Sequence, residues 1–309
     1  MSVSLVMEGG GMRGAYTAGV LQVLADHGIR FDAVYGVSAG ACNALSWISG
    51  QVDRNREIFN SFVPTHQYLS RRNLISTGNL FGYDYIFGRL FHEQLPFDYE
   101  TFYRSPVRFR VGVTDVDTGK PFFFEKEDLD DRMDVIRASS ALPFVSRMVE
   151  IRGRRYLDGG VAMPIPLEQA VQDGYDRHVV ILTRDASYVR PDKPDYPRRL
   201  LQTHFRRYPA LVRAMLERPK VYREELAYCR QMQEQGKAYL IRPSVPVQVA
   251  RCERNPEKIL PYYELGKLDC QEQMPEILAF VNSPGENEKD NIAEKVPVYA
   301  GEREEVCRT

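Results

Sequence analysis

The chain has 309 residues, of which 43% are hydrophobic and 27% charged, as in a globular protein with a sizeable core. Its formal net charge of -1 excludes the basic balance typical of nucleic-acid-binding proteins, so we expect no nucleic-acid partner. No segment approaches the roughly 20 uncharged apolar residues of a membrane-spanning helix. The first ten residues also lack the features of a signal peptide. We expect any contact with lipid to be made from the surface.

The cysteines are odd in number, widely spaced and contain no C-x-x-C pair: Cys42, Cys229, Cys252, Cys270 and Cys307. This pattern favours reduced thiols and a cytoplasmic protein over a disulfide framework or a zinc site. We expect no metal and no cofactor. The sequence makes no prediction of the oligomeric state.

The first elements read as strand, glycine loop and helix. A short apolar run at residues 3–7 ends at a glycine-rich stretch, and an apolar-periodic helix follows at residues 15–27, with Gly28 at its C′ position. The order then repeats, with a strand at residues 31–35, a turn at residues 36–40 and a helix at residues 41–48. Further strands are predicted at residues 107–114, 122–124, 178–183 and 238–241. This alternation predicts an α/β fold with a mostly parallel central sheet and helices on both faces.

Three segments depart from the alternation. Aromatic residues crowd an insertion at residues 64–103, arginines crowd a helical region at residues 190–223, and residues 284–309 are polar and charged. We expect residues 1–283 to form a single domain and residues 284–309 to form a mobile tail.

Ser38 lies in the sequence Gly36-Val37-Ser38-Ala39-Gly40, a G-x-S-x-G pattern. In a nucleophile elbow the serine sits at a sharp strand-to-helix turn, where flanking glycines relieve backbone crowding. Here the pattern follows an apolar strand and precedes a helical run. We therefore interpret Ser38 as a nucleophile, and Gly36 and Gly40 as the glycines of its turn.

The glycine loop, Gly9-Gly10-Gly11-Met12-Arg13-Gly14, leaves backbone N–H groups free to meet an anion. It matches neither the P-loop pattern nor G-x-G-x-x-G, so a nucleotide site is the weaker interpretation. We favour an oxyanion hole, in which these amides bind the charged oxygen of a tetrahedral intermediate.

No histidine has the position expected of a catalytic base, that is, on a loop after a strand and after the acid. The five histidines are His27, His66, His92, His178 and His204. A carboxylate candidate is Asp158, which ends a predicted strand and is followed by Gly159 and Gly160. Asp-Gly-Gly alone is also a common turn sequence.

The glycine loop, the serine turn and Asp158-Gly159-Gly160, taken in this order, resemble the patatin-like phospholipase family. Residues 138–143, Ala-Ser-Ser-Ala-Leu-Pro, are similar to a further segment of that family. The resemblance covers roughly residues 3–183 and implies a three-layer α/β/α fold.

The resemblance also implies a Ser–Asp dyad that cleaves fatty acyl esters without a metal. Ser38 would attack the acyl carbonyl and Asp158 would act as general base. The implied oxyanion-hole residues are Gly9, Gly10, Gly11, Met12 and Arg13. The expected partner is a lipid or acyl-ester substrate, and the expected location is the cytoplasm, with peripheral membrane contact as an open question.

Three alternatives remain at this point. The chain could be a catalytically silent, patatin-fold lipid-binding or regulatory protein, a Ser-His-Asp esterase, or a nucleotide-binding enzyme. The aromatic segment could line an acyl groove or form a packed core. The arginines of residues 198–223 could contact an anionic bilayer or form a solvated helical face.

Overall fold

The computed structural model describes residues 2–246 and 248–283. These residues form a single eight-stranded sheet with helices packed around it. Residues 284–309, the predicted tail, lie outside the described residues. The strands are β1 (Val3–Met7), β2 (Ala33–Val37), β3 (Arg108–Asp115), β4 (Pro121–Glu125), β5 (Val149–Ile151), β6 (Arg154–Asp158), β7 (Arg177–Ile181) and β8 (Ala238–Ile241). Their order is β5-β6-β3-β2-β1-β7-β8, with β4 also paired to β3.

Helices surround this sheet. They are α1 (Gly14–Asp26), α2 (Ala39–Ile48), α3 (Asp53–Glu57), α4 (Arg71–Thr77), α5 (Tyr99–Arg104), α6 (Asp134–Ser139), α7 (Leu167–Gln172), α8 (Arg198–His204), α9 (Pro209–Glu234), α10 (Pro256–Glu272) and α11 (Met274–Asn282). Two segments, Ile58–Phe62 and Tyr85–Gln94, are π-helical. No helix in the described part of the chain is long and apolar enough to cross a membrane.

The central strands bury both of their faces. Leu5 and Met7 pack in one cluster with residues of α1, α2 and α11, whereas Val6 packs in another cluster with α7 and α9. Because successive side chains of a strand point to opposite faces, these clusters lie on the two sides of the sheet. The predicted three-layer α/β/α fold is confirmed.

Most central pairs are parallel, as predicted: β1 pairs in parallel with β2 and β7, β2 with β3, and β7 with β8. The contacts of β3 with β4 and β6, and of β5 with β6, are antiparallel. Strand β5 was not predicted from the sequence. It has only three residues, and none of them is fully buried, so its hydrophobic pattern is weak.

Strand β3 has three partners on two edges. Strand β2 pairs with residues 108–112, β6 with residues 113–115, and β4 overlaps both sets at residues 110–114. Since one edge cannot pair twice at the same residue, β4 pairs along one edge of β3. Strands β2 and β6 lie end to end along the other edge. On that edge Gly112 pairs with Val37 and the next residue, Val113, pairs with Asp158. The register therefore brings the end of β2 against the end of β6.

Helices α1 and α10 cross at two glycines. A Cβ atom on Gly19 would lie 2.0 Å from the carbonyl oxygen of Tyr263, and one on Gly266 would lie 2.2 Å from that of Tyr16. Only glycine permits such close backbone contact. Helix α10, near the carboxy-terminal end of the described chain, thus packs directly against α1.

Candidate active site

Ser38 occupies a strained turn between β2 and α2. Its φ of 54° and ψ of -120° place a non-glycine residue outside the favoured backbone regions. The strand predicted at residues 31–35 was displaced by two residues, since β2 begins at Ala33 and continues through Gly36 to Val37. A Cβ atom on Gly40 would lie 2.6 Å from the carbonyl oxygen of Met7, and one on Gly36 would lie 2.7 Å from the backbone of Ala41. Both glycines allow the close packing that holds this turn.

The hydroxyl of Ser38 donates to the carboxylate of Asp158. The Oγ–Oδ2 distance is 2.7 Å, and the amide of Gly160 donates to the other oxygen, Oδ1, also at 2.7 Å. Ser38 and Asp158 are 8% and 5% exposed. Burial raises the pKa of Asp158, against the opposing effects of the Ser38 hydrogen bond, the charge of Arg251 and the Gly160 amide. The structure thus places together two residues that lie 120 positions apart in the sequence.

The loop after Asp158 is packed too tightly for larger residues. A Cβ atom on Gly159 would lie 2.2 Å from the carbonyl oxygen of Gly112, and one on Gly160 would lie 2.9 Å from Asp158 Oδ1. Both glycines bring the carboxylate close to β3 and to Ser38.

Ser139, at the end of α6, supports the serine turn. Its hydroxyl accepts from the amide of Ser38 at 2.8 Å and donates to the carbonyl of Gly112 at 2.7 Å. The hydroxyl of the neighbouring Ser140 bonds within its own helix, to the carbonyl of Ile136. The amide of Ser38 is therefore engaged in the described structure.

The glycine loop presents fewer free amides than the sequence predicts. The amide of Gly9 donates to the carbonyl of Pro164 at 3.1 Å, and the amide of Met12 donates to that of Arg251 at 3.0 Å. Among the described residues, the amides of Gly10 and Gly11 donate no hydrogen bond. The set of candidate amide donors therefore narrows to Gly10 and Gly11.

Arg13 lies beside these amides and is only 8% exposed. Its Nε atom has no partner, and no carboxylate of the described residues forms an ion pair with it. Burial lowers its pKa to about 10, and repulsion by Arg184 and Arg251 acts in the same direction, while Glu8 opposes it. A buried cation without a paired anion is a candidate contact for a developing negative charge.

A cavity of about 140 Å³ opens over the serine and the carboxylate. The glycine loop, Ser38 and Asp158 line one part of it. Aromatic residues of the predicted insertion line another part: Tyr68, Phe81, Tyr83, Phe87 and Phe91. Phe97 and Phe102 continue the same series of ring contacts into the core. The aromatic segment thus lines the cavity and also packs in the apolar core.

Two arginines from the carboxy-terminal part of the chain complete the surroundings of the site. Arg218, on α9, donates from Nε to the carbonyl of Gly160 at 2.5 Å and forms an ion pair with Asp195 at 2.6 Å. Arg251 binds the glycine loop through its carbonyl, and both arginines line the cavity. The sequence prediction assigned neither residue to the site. Arg218 belongs to the arginine-rich segment, but nothing in its local sequence separates it from its neighbours.

The histidines lie away from the cavity, since none of the five is among its lining residues. His178 is buried on β7 and its Nδ1 lies 2.8 Å from the hydroxyl of Ser4. Burial lowers its pKa to about 4, so the ring is neutral at pH 7. The ring of His204 packs against that of Phe144 at an interplanar angle of 44°, with centroids 4.9 Å apart.

The chain is similar to several known proteins. The uncharacterized protein YjjU of Escherichia coli (strain K12) is 32% identical over 59% of this chain and 52% of its own length. Lysophospholipase NTE1 of Cryptococcus neoformans is 25% identical over 58% of this chain, but over only 11% of its own length. The crystal structure of VipD from Legionella pneumophila aligns with 89% of this chain and 67% of its own at 11% identity and a TM-score of 0.42.

Two family models match separate segments. One is a domain of unknown function, DUF6363, over residues 208–282, and the other is the patatin-like phospholipase model over residues 5–171. The chain spans about half the length of YjjU, at 52%. Because the match to the patatin-like phospholipase model covers more than half of the 309 residues, the chain belongs to the patatin-like phospholipase family.

Proposed function

We propose that this chain is a serine lipid acyl hydrolase that cleaves fatty acyl esters through an acyl-Ser38 intermediate. The observation that carries the proposal is the Ser38–Asp158 hydrogen bond, which lies in a cavity lined partly by aromatic rings. The match to a protein named lysophospholipase supports a lipid ester as the substrate. The proposed substrates are phospholipids, lysophospholipids and simpler acyl esters.

In the first step Ser38 Oγ attacks the acyl carbonyl carbon, and its proton passes to Asp158 Oδ2, 2.7 Å away. The carbonyl oxygen becomes negatively charged, and the amides of Gly10 and Gly11 stabilise it together with the guanidinium of Arg13. The bond to the leaving alcohol then breaks. The leaving oxygen takes the proton from Asp158, which restores the carboxylate.

The second step returns Ser38 to its starting state. Asp158 accepts a proton from a water molecule, whose oxygen attacks the acyl carbon of the intermediate. The bond between the acyl carbon and Ser38 Oγ breaks, and Oγ recovers a proton from Asp158. The products are a fatty acid and free enzyme.

The surroundings of Asp158 make this chemistry feasible near neutral pH. An aspartate of ordinary pKa is a weak base for a hydroxyl. Burial raises the pKa of Asp158 and so strengthens it as a base. The Gly160 amide holds Oδ1, which leaves Oδ2 facing Ser38.

We further propose that the arginine-rich surface beside the cavity contacts anionic membranes. Tyr196 lines the cavity and lies just before α8. Within residues 198–213, five arginines are exposed and form no ion pair with the described residues: Arg198, Arg199, Arg206, Arg207 and Arg213. Such a cluster attracts the negatively charged head groups of a bilayer.

The hydrolysis of p-nitrophenyl esters by the purified protein, with a chelator present, tests the proposed dyad. We expect turnover by the wild type, and a loss of at least about a thousandfold in Ser38→Ala and in Asp158→Asn. Circular dichroism spectra establish that each variant is folded. His178→Ala and His204→Ala are the controls. Full activity in Asp158→Asn, or its loss in a folded histidine variant, would reject the dyad.

A further inference from the structure

A buried arginine lies at the far end of the cavity from the dyad. Arg54, on α3, is 5% exposed and lines the same cavity as Ser38. The neighbouring Asn55 accepts from the hydroxyl of Ser46 at 2.8 Å and donates to the carbonyl of Asn43 at 3.3 Å. These bonds hold α3 beside the second half of α2, whereas Ser38 lies at the start of that helix.

The guanidinium of Arg54 has few polar partners. Its Nη2 atom donates to the carbonyl of Leu95 at 2.8 Å, and its central carbon lies 4.2 Å from the ring centroid of Phe91. Nε has no partner, and no carboxylate among the described residues forms an ion pair with the group. Burial lowers its pKa to about 10. Since an unpaired buried charge is costly, an anion in the cavity would stabilise it.

The distance between the two ends of the cavity, at Ser38 and at Arg54, suits an acyl chain of medium length. One face of α2 lines the cavity from Ala39 to Leu45, which corresponds to about 9 Å at the rise of an α-helix. Phe59, Phe87 and Phe91 provide apolar walls. A chain that starts at Ser38 and follows this face would end near Arg54.

The acyl group, and not the leaving alcohol, fits this direction. The leaving oxygen must take its proton from Asp158, so the alcohol departs on the side of Asp158. Asp195, Tyr196 and Arg218 line that side of the cavity. The acyl chain is then directed the other way, along α2.

We propose that Arg54 selects acyl groups that carry a carboxylate at their far end, so that the preferred substrates are half-esters of medium-length dicarboxylic acids. This inference rests on the proposed function for its chemistry, because the ester bond is still cleaved by Ser38. The terminal carboxylate forms a charge-assisted hydrogen bond with Arg54. A simple fatty acyl chain would place a methyl group against the same cation.

Binding to the Ser38→Ala variant tests the selectivity without turnover. We expect calorimetry to show that monomethyl suberate binds at least about tenfold more tightly than methyl octanoate, which has the same chain length but no carboxylate. Arg54→Met should abolish this preference. Equal binding of the two esters, or a preference that survives in Arg54→Met, would overturn the proposal whether or not the protein is an esterase.

Kinetics then test it in the active protein. The p-nitrophenyl half-esters of succinic, adipic, suberic and sebacic acids are compared with butyrate, hexanoate, octanoate and decanoate esters. For each chain length, kcat/KM for the half-ester is divided by kcat/KM for the neutral ester. We expect this ratio to fall about tenfold or more in Arg54→Met. The control is Arg56→Met, which removes a half-exposed arginine of the same helix, paired with Glu264 at 3.7 Å.

The ratio of kcat/KM for the half-ester to kcat/KM for the neutral ester distinguishes a selective role of Arg54 from a role in supporting the fold. If Arg54 only anchors the carbonyl of Leu95, both ester classes lose activity together, the ratio stays unchanged and the proposal fails. Hydrolysis of neutral esters by the wild type, and its loss in Ser38→Ala, would still uphold the proposed function in that case.

Discussion

The segments matched by the two family models contribute differently to the site. Residues 5–171 contain the proposed nucleophile, base and oxyanion amides, whereas residues 208–282 contain Arg218 and Arg251, which hold the loops that carry those groups. The reactive groups lie on turns at strand ends, and their supports come from a helix and a loop. We infer from this difference that the amino-terminal segment carries the groups of the proposed chemistry, and that the carboxy-terminal segment helps to hold their loops in place.

Packing supports the view that the two segments form one body. Gly19 of α1 and Gly266 of α10 each allow a backbone contact that a side chain would prevent. Cys270, Met274 and Ile277 join the same apolar cluster as β1 and α1. We therefore propose that the described residues form a single domain, within which the carboxy-terminal segment is part of the catalytic unit.

Among the residues that support the site, the largest effect should come from one inside the amino-terminal segment. Ser139→Ala removes the hydroxyl that bridges the Ser38 amide and the Gly112 carbonyl, so both buried backbone groups lose this partner. We expect the free energy of unfolding to fall by about 2 kcal/mol. We expect kcat to fall about a hundredfold, because the strained serine turn loses its alignment. Urea denaturation and ester hydrolysis measure the two effects.

The adjacent Ser140→Ala provides a matched control. Its hydroxyl bonds only to carbonyls of its own helix, so kcat should stay within about threefold of the wild type. An equal loss of kcat in the two variants would show that the bridge made by Ser139 has no special role.

The next effect tests the carboxy-terminal segment. Arg218→Met removes the hydrogen bond to Gly160 and a positive charge that lowers the pKa of Asp158. We expect kcat/KM at neutral pH to fall about tenfold through the loss of a charged hydrogen bond. The pKa of Asp158 should also rise further. Because the base acts in its ionised form, the rising limb of kcat/KM against pH should move to higher pH.

The control for this shift is five residues further along the same helix. Arg223 forms an ion pair with Asp192 at 2.7 Å, and the side chain of Asp192 is 87% exposed. Arg223→Met should therefore leave the pH profile unchanged. A profile that does not move in Arg218→Met would mean that the arginine supports the loop without influencing the base.

The same contrast explains what could be predicted from the sequence. Ser38 and its glycines were predicted because a sharp turn at a strand end requires particular residues within a few positions. The role of Asp158 was implied by the family resemblance, since Asp-Gly-Gly alone is a common turn sequence. Arg54, Arg218 and Arg251 were not assigned to the site. Their positions depend on how α3, α9 and the segment before α10 pack against distant loops, and no local pattern encodes that packing. Similarly, the amides of Gly9 and Met12 are engaged by carbonyls that lie far away in the sequence.

Boundaries were less predictable than the elements themselves. Gly36 was predicted to belong to a turn, but it continues β2 because the strand must pass close to Ala41 of α2. The π-helical segment Tyr85–Gln94 was not predicted as helix. Its buried residues recur at helical spacing: Ile86, Phe87, Leu90 and Phe91. The prediction for this segment considered only the crowding of its aromatic residues. Contacts between aromatic rings also stabilise it.

The smallest effect on hydrolysis is expected from an exposed face just before the carboxy-terminal segment, residues 208–282. Replacing both Arg206 and Arg207 by Gln removes two exposed cations that form no ion pair within the described residues. Binding to vesicles that contain phosphatidylserine, measured by sedimentation, should weaken about fivefold for each charge removed. Added salt should reduce the difference, because it screens exposed charges. Hydrolysis of a short, water-soluble ester should not change, since neither side chain lines the cavity. If vesicle binding is unaffected while the ester assay is normal, the arginines form a solvated face and the proposed membrane contact fails.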